Sequence, residues 1–196
     1  MYNTKLNNYH LKPKPSNIQT PLVVSQFIFE LLKSEIPTNS LILDPCSGQG
    51  SLLSPWKETG YPTWGIDIDP TSTADAITDF FTLKPYQSEW NLEANLILCN
   101  PPFNGYGNKL GSEVWLDKII ELFGKDIPIV LFTPMGFRLN SKKSGQRWNK
   151  FINQKYPLIS SIVSLPRDIF PAVEFHSEIL IFNIPNLQPH YFLSTN

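Results

Sequence analysis

The sequence predicts a single doubly wound α/β domain built on a mostly parallel sheet. Three observations support this fold class. Short apolar runs bounded by turn residues alternate with helix-like segments, which is the order expected of parallel strands joined by crossover helices. The runs are apolar throughout, as is typical of strands covered on both faces. The chain of 196 residues, 41% of them hydrophobic, is long enough for one domain with a substantial core.

The elements of this fold can be assigned in chain order. Residues 1–19, rich in Asn, Lys and Pro, are predicted to form an arm, and residues 20–196 the folded domain. The first helix is predicted over residues 21–34, because proline suits a first helical turn and apolar residues then recur at helical spacing. Strands are predicted over residues 41–43, 64–68, 96–99, 127–132, 158–165 and 178–184, and crossover helices over residues 50–59, 112–123 and 144–156.

The second connection of the predicted sheet is unusually short. A crossover between parallel strands normally needs about a dozen residues or more. Only seven residues lie between Asp69 and Ile77, so we expect a bare or abbreviated turn there instead of a crossover helix.

Charge, hydropathy and cysteine content exclude several classes of protein. Sixteen Lys and Arg against seventeen Asp and Glu leave a net charge of −1, so nucleic acid would have to be contacted through a local basic patch. The sequence has no apolar run of about 18 residues and no apolar stretch typical of a signal peptide at its start. Cys46 and Cys99 lie in unrelated contexts, so neither a disulfide framework nor a metal site is expected. The resulting expectation is a cytoplasmic globular protein.

Two motifs at strand ends indicate a small-molecule site. In LILDPCSGQGSLL a strand ends in Asp44, and a turn with Gly48 and Gly50 would let backbone approach a ligand closely. The turn is neither G-x-G-x-x-G nor a phosphate-binding loop, so dinucleotide and nucleoside triphosphate sites are not indicated. A second strand ends at Asp67, placed to accept from two ribose hydroxyls, with Ile68 beside an adenine face. The alternatives without a ligand are that the glycine segment is an ordinary strand-to-helix turn and that Asp67 only caps a turn.

The stretch NLILCNPPFNGYG carries the most specific motif. An apolar strand runs into Asn100-Pro101-Pro102-Phe103, where two prolines remove two N–H donors and stiffen the chain. The Asn100 side chain and the Pro101 carbonyl remain as acceptors, and Phe103 offers a ring for stacking. Such a set fits a planar exocyclic amine, for example N6 of adenine. A proline-stiffened loop without chemistry is the alternative, and Cys99 is predicted to be a buried core thiol.

In this order, DPCSGQG, GIDID, the Asp79-Phe80 pair and NPPF resemble the motifs of S-adenosylmethionine-dependent adenine-N6 DNA methyltransferases. The closest likeness is to the gamma class and to the modification subunits of restriction–modification systems, and it covers roughly residues 20–185. The resemblance implies a seven-stranded class I methyltransferase sheet, S-adenosylmethionine as cofactor and DNA as substrate. It also implies direct methyl transfer to an extruded base, with no covalent nucleophile.

The resemblance also implies roles for individual residues. Thr20 would touch the methionine end of the cofactor, Asp79 would accept from its adenine N6, and Phe80 would pack at that ring. The full cofactor set is Thr20, Asp44, Cys46, Gly48, Gly50, Asp67, Ile68, Asp79 and Phe80. The catalytic set is Asn100, Pro101, Pro102 and Phe103. Either Phe170 or Phe175, in a stretch similar to a late strand pair of these enzymes, would stack on the target base.

A basic segment follows the strand predicted over residues 127–132. Its five cations fall within thirteen residues that contain no acid: Arg138, Lys142, Lys143, Arg147 and Lys150. The carboxyl end of that strand should lie at the edge of the sheet that carries the candidate site. We therefore predict that the segment forms a loop that contacts phosphates without reading sequence. A solvated loop and helix face is an equally good interpretation.

Three functions remain open on the sequence alone. The first is an adenine-N6 DNA methyltransferase domain, expected to need a specificity subunit or to have loose specificity because the residues after 185 are too few for a target-recognition domain. The second keeps the chemistry and changes the acceptor to an RNA adenine or a protein glutamine amide. The third is a catalytically silent methyltransferase fold that serves as a binding subunit.

Overall fold

The computed structural model describes residues 18–85, 93–103, 109–139, 142–171 and 174–194. Most of the predicted arm lies outside these residues. Within them, the strands form one eight-stranded sheet in the order β3-β2-β1-β4-β5-β7-β6-β8. The strands are β1 (Ile42–Asp44), β2 (Thr63–Asp67), β3 (Ala76–Ile77), β4 (Leu96–Cys99), β5 (Ile129–Pro134), β6 (Ile159–Ser164), β7 (Ser177–Phe182) and β8 (His190–Phe192).

The sheet is parallel except for one strand. Strands β1 to β5 pair in parallel, and β8 runs parallel to β6. Strand β7 is antiparallel to both of its neighbours, β5 and β6. The doubly wound, mostly parallel α/β fold predicted from the sequence is therefore confirmed. Because β1, β2, β4 and β5 are parallel, their carboxyl ends meet at one edge of the sheet.

Within the described residues the sheet has eight strands, where seven were expected. Strands β3 and β8 have two and three residues, too few for a hydrophobic period to be visible in the sequence. The connection between β2 and β3 is a run of turns without a helix, as the short spacing from Asp69 to Ile77 predicted. Asp69 caps a turn in this connection, because its Oδ1 accepts from the backbone N–H of Thr71 at 2.8 Å.

The helices are α1 (Leu22–Leu32), α2 (Ser54–Glu58), α3 (Gly111–Phe123), α4 (Gly136–Leu139) and α5 (Gln146–Ile152), with a 3₁₀ helix over Phe80–Thr82. Helix α2 is much shorter than the crossover helix predicted over residues 50–59. Pro55 lies at its start, because proline lacks the N–H that an earlier helical turn would require. None of the helices within the described part of the chain is long and apolar enough to cross a membrane.

A hydrophobic core lies on each face of the sheet. On one face, α1 and α2 pack through Ile28, Phe29 and Trp56 against residues of β4, β5 and β7 such as Phe132. On the other, α3 packs through residues such as Leu116 against the opposite side of the same strands. Strands with apolar residues on both faces explain why the runs in the sequence are apolar throughout. The two cores fix the strands and thereby the loops at their carboxyl ends.

Candidate active site

The turn after β1 is fastened to the end of β2 by Asp67. The backbone N–H of Gly48 donates to Asp67 Oδ2 at 2.7 Å, and the N–H of Asp69 donates to Asp67 Oδ1 at 2.9 Å. Gly48 and Gly50 have φ angles of +52° and +75°, a left-handed conformation that glycine adopts without strain. The predicted glycine turn therefore exists, and Asp67 organises it in addition to presenting a carboxylate at the sheet edge.

Asp44 is the buried carboxylate at the end of β1. Its side chain is 2% exposed, and its Oδ1 accepts from the backbone N–H of Cys46 at 3.0 Å. Burial, with a smaller contribution from the nearby charge of Asp67, raises the pKa of Asp44 to about 7. Asp44 is thus poised to change its charge near neutral pH.

Cys46 and Cys99 lie against each other, which corrects the expectation that they are unrelated. Their sulfur atoms are 3.8 Å apart because β1 and β4 are neighbouring strands that end at the same edge. Burial raises the pKa of both thiols, so each is held in its neutral form. Within the described residues, no group of three or more His, Cys, Asp and Glu side chains could hold a metal ion.

The far side of the glycine turn carries Ile68 and Asp79. Ile68 is 63% exposed, so a large apolar side chain lies uncovered directly after Asp67. Asp79 caps the 3₁₀ helix, since its Oδ1 accepts from the N–H of Phe81 at 2.9 Å. Phe80 is 2% exposed and stacks on Trp115 at 5.4 Å between centroids, so its ring lies in the core. Its predicted contact with the adenine ring of the cofactor stays a prediction.

Asn100 follows β4 and is joined to the segment that precedes α1. Its Nδ2 donates to Oγ1 of Thr20 at 3.0 Å. The neighbouring Gln19 contacts the glycine turn, where its Oε1 accepts from the N–H of Gln49 at 3.2 Å. The segment therefore links the loop after β4 to the turn after β1.

The loop after β4 also rests on the first residue of α3. The N–H of Gly111 donates to the carbonyl of Phe103 at 3.1 Å. A Cβ added at Gly111 would lie 1.9 Å from the carbonyl oxygen of Pro102, far inside van der Waals contact. Glycine is therefore required there by the close approach of the two backbones. Gly111 does not belong to any motif recognised in the sequence.

Three phenylalanines form an aromatic wall beside this loop. Phe175 meets Phe103 edge-on at 5.2 Å and stacks on Phe170 at 5.3 Å with the planes 15° apart. Phe170 is 2% exposed and also packs edge-on against Phe132, so both of its sides belong to the core. Phe175 is only half-buried. Of the two candidates that the sequence left open, Phe175 is the one with surface available to a ligand.

Comparison with known proteins was made at three levels. No protein-family model matches the sequence, and no curated protein matches it. The structure is similar to a proposed class I S-adenosylmethionine-dependent methyltransferase from Listeria monocytogenes, with a TM-score of 0.65, 15% identity, and coverage of 93% of this chain and 68% of that chain. The chain has the class I methyltransferase fold.

Two further solved structures share this methyltransferase fold. A modification subunit of a proposed type I restriction enzyme from Vibrio vulnificus matches at a TM-score of 0.63 and 15% identity, over 91% of this chain and 47% of that one. A proposed RNA methyltransferase from Pyrococcus horikoshii matches at a TM-score of 0.59 and 14% identity, over 92% of this chain and 95% of that one. This chain therefore spans about half the length of that modification subunit and nearly all of the RNA methyltransferase.

The basic segment of this methyltransferase fold is not the acid-free surface that its sequence indicates. Arg138 forms a forked pair with Glu178 of β7, with Nε 2.9 Å from Oε1 and Nη2 3.0 Å from Oε2. Arg147 pairs with Glu113 of α3 at 3.1 Å. Lys150 pairs with Asp117 of α3 at 2.6 Å. These acids are distant in sequence and become neighbours only when the segment packs on α3 and β7.

Lys142 and Lys143 are the exposed cations of that segment. Glu178, in contrast, is 2% exposed, and its burial raises its pKa while the charge and hydrogen bonds of Arg138 oppose that rise. Arg138 and Arg147 thus neutralise buried carboxylates. The phosphate-contacting role predicted for the segment remains a prediction, and its two lysines are the members best exposed for it.

Some functional contacts were missed by the sequence analysis. Gln19 lies over the glycine turn, and Gly111 supports the NPPF loop, although neither belongs to a recognisable motif. For Glu178 a signal was present, because a carboxylate inside the apolar strand SEILIF must be paired when buried. Its partner Arg138 could not be read from that pattern.

Proposed function

We propose that the chain catalyses S-adenosylmethionine-dependent transfer of a methyl group to the N6 amine of adenine in DNA. The placement of Asn100 carries this proposal. Its amide lies at the carboxyl end of β4, on the strand next to the glycine turn of β1, and in one loop with Phe103. A side-chain oxygen, a proline carbonyl and an aromatic ring suit a planar exocyclic amine.

The residues around the glycine turn fit this cofactor. Asp67 would hold the ribose hydroxyls, because its two oxygens accept one backbone hydrogen bond each and retain further lone pairs. Asp79 would accept from the adenine amine, and the exposed Ile68 would cover the adenine face. When bound, S-adenosylmethionine supplies a methyl group on a positively charged sulfur, which keeps the bonding electron pair as the methyl leaves.

Asn100 and Pro101 would act on the acceptor amine. Their oxygens would accept hydrogen bonds from its two N–H groups, which concentrates the lone pair on nitrogen as that atom becomes pyramidal. The lone pair would form the new bond to the methyl carbon, and one N–H proton would then leave to solvent. These contacts favour the transition state over the planar ground state, so they lower the barrier and do more than bind substrate. Phe103 and Phe175 would hold the extruded base by ring contacts. No nucleophilic side chain is needed, in agreement with the neutral Cys99 thiol.

DNA is proposed as the substrate because the motifs resemble those of DNA methyltransferases. The similarity to a restriction modification subunit supports the same choice. RNA is the second candidate, favoured by the match to a proposed RNA methyltransferase of which this chain covers 95%. A separate specificity subunit is proposed as the partner that selects the target sequence, because one of the similar structures is itself a subunit of a larger restriction enzyme.

The test is incubation of the purified chain with labelled S-adenosylmethionine and unmethylated DNA or RNA, followed by nucleoside analysis. We expect N6-methyldeoxyadenosine from DNA. If only RNA is methylated, giving N6-methyladenosine, the substrate is RNA and the proposed chemistry is unchanged. The absence of a methylated nucleoside from both polymers would contradict the proposal.

Substitution of Asn100 separates catalysis from binding. Asn100→Ala should lower methyl transfer by at least about 100-fold, as for other groups that stabilise a transition state. Cofactor affinity measured by calorimetry should stay within about twofold, because Asn100 is not among the residues proposed to hold the cofactor. Asn153→Ala, at the exposed end of α5, is the matched control and should retain full activity.

A further inference from the structure

Thr20 and Asn100 lie 80 residues apart in the sequence and are joined by a side-chain hydrogen bond. Asn100 Nδ2 donates to Thr20 Oγ1 at 3.0 Å, and Thr20 is buried. This bond uses one of the two N–H groups of the Asn100 amide and leaves Oδ1 as an acceptor. Thr20 was expected from the resemblance only to touch the cofactor, so this contact is additional.

The position of the carboxamide matters for the proposed chemistry. Its oxygen must lie within hydrogen-bond distance of the acceptor amine, and a side chain that changes rotamer would spend part of its time elsewhere. A hydroxyl can both donate and accept, so Thr20 can bond to either end of the amide, and what it fixes is the place of the amide group.

Thr20 is held in place from both sides along the chain. The residue after it is Pro21, with φ −61° and ψ 141°, and a residue before proline is restricted to extended conformations. Helix α1 then anchors the segment through buried side chains that include Val24 and Ile28. On the other side, Gln19 is bonded to the glycine turn. The hydroxyl is therefore a fixed partner for the amide.

We propose that Thr20 is a positioning residue that holds the Asn100 amide in place beside the acceptor amine. The inference deepens the proposed function and rests on it, since it names the group that fixes the residue that would contact the target. Thr20 acts through Asn100 and need not touch the acceptor.

The kinetic test compares Thr20→Val, which keeps the side-chain volume and removes the hydroxyl, with Thr20→Ser, which keeps the hydroxyl. Thr20→Val should lower kcat about tenfold, the effect of one lost hydrogen bond, with the KM for S-adenosylmethionine unchanged. Thr20→Ser should restore kcat to within about twofold of wild type. An unchanged kcat with a raised cofactor KM in Thr20→Val would assign Thr20 to the cofactor and overturn the proposal.

A second measurement detects the hydrogen bond without requiring activity. Hydrogen exchange of the Asn100 side-chain amide, followed by nuclear magnetic resonance of ¹⁵N-labelled protein, should be slow in wild type and Thr20→Ser. Exchange should be at least about tenfold faster in Thr20→Val, because a hydrogen-bonded proton exchanges only when the bond opens. Equal exchange in all three proteins would overturn the proposal.

These two readouts separate failure of the inference from failure of the proposed function. If the wild-type chain methylates no nucleic acid, the proposed function fails, and the exchange experiment still reports whether Thr20 holds the amide. Thermal unfolding of each variant checks that the fold is kept. If Thr20→Val does not fold, Thr20→Ala provides the same loss of hydroxyl in a smaller side chain, with the same expected exchange.

Discussion

The turn after β1 and the loop after β4 lie side by side at one edge of the sheet, but different kinds of contact hold them. In the turn, the carboxylates of Asp44 and Asp67 accept from backbone N–H groups of the turn itself or of the adjacent strand end. In the loop, Asn100 depends on a hydroxyl 80 residues earlier, and Pro102 on the absence of a side chain at Gly111. One region is held by charged acceptors, and the other by a hydroxyl and by the close approach of two backbones.

This difference predicts how each region responds to change. A turn held by carboxylates should respond to pH, because the buried Asp44 changes its charge near neutral pH. A loop held by close packing should instead respond to added volume, because packed backbones cannot move apart without displacing their neighbours. The four predictions below test this contrast, starting with the largest expected effect.

Gly111→Ala should disrupt the loop most strongly. The new Cβ would lie 1.9 Å from the Pro102 carbonyl oxygen, so the NPPF segment must shift by more than about an ångström. A misplacement of that size can lower a catalysed rate by about 100-fold, measured here as methyl transfer at saturating cofactor. Gly124→Ala, at the other end of α3, is the control, since nothing lies within 4 Å of its Cβ and only its φ of +83° opposes alanine. Equal rates for both variants would refute the contact.

Asp44→Asn should change the pH dependence of folding stability. Because the folded-state pKa of Asp44 is raised from 3.8 to about 7, its contribution to stability is fully present below about pH 4 and is lost as pH rises to about 7. Asparagine keeps the acceptor for Cys46 and carries no charge. The variant should therefore gain free energy of unfolding over wild type between pH 4 and pH 8, on the order of 3 kcal/mol. Urea unfolding at both pH values measures this gain, and parallel behaviour of the two proteins would contradict it.

Phe175→Leu and Phe170→Leu should separate binding from stability within the aromatic wall. Loss of the half-buried Phe175 should raise the KM for nucleic acid about tenfold, the value of one base–aromatic stacking contact. Loss of the buried Phe170 should instead lower the free energy of unfolding by about 1 to 2 kcal/mol. If Phe170→Leu alone raised the KM, our choice of Phe175 as the ligand-facing ring would be wrong.

The smallest effect is expected from the exposed lysines of the basic segment. The double variant Lys142→Ala/Lys143→Ala should weaken nucleic-acid binding a few-fold and reduce its logarithmic salt dependence by about 2. Fluorescence anisotropy across a salt series measures both quantities. Arg147→Ala should behave differently and lower stability, because it leaves the buried Glu113 with only the longer pair to Lys150 at 3.6 Å. An unchanged salt slope in the double variant would exclude these lysines from the interface.

Local motifs could be predicted because the physics behind them is local. The glycine turn could be predicted because its left-handed backbone at Gly48 and Gly50 favours glycine. Asp67 could be predicted because it ends an apolar strand. The shortened connection before Ile77 follows from counting residues. The proximity of Cys46 and Cys99, in contrast, depends on β1 pairing with β4, and no spacing in the sequence encodes that pairing.

By itself, the sequence determined the fold class, the strand-end motifs and the chemistry that those motifs resemble. Hydrophobic periods, glycine conformations and proline restrictions act within a few residues, so they can be read along the chain. Only the tertiary structure decided which of Phe170 and Phe175 remains accessible, which cations pair with buried acids, and that Thr20 meets Asn100. Burial and pairing are properties of neighbours in space, and those neighbours come from α1, α3 and β7, far apart in sequence.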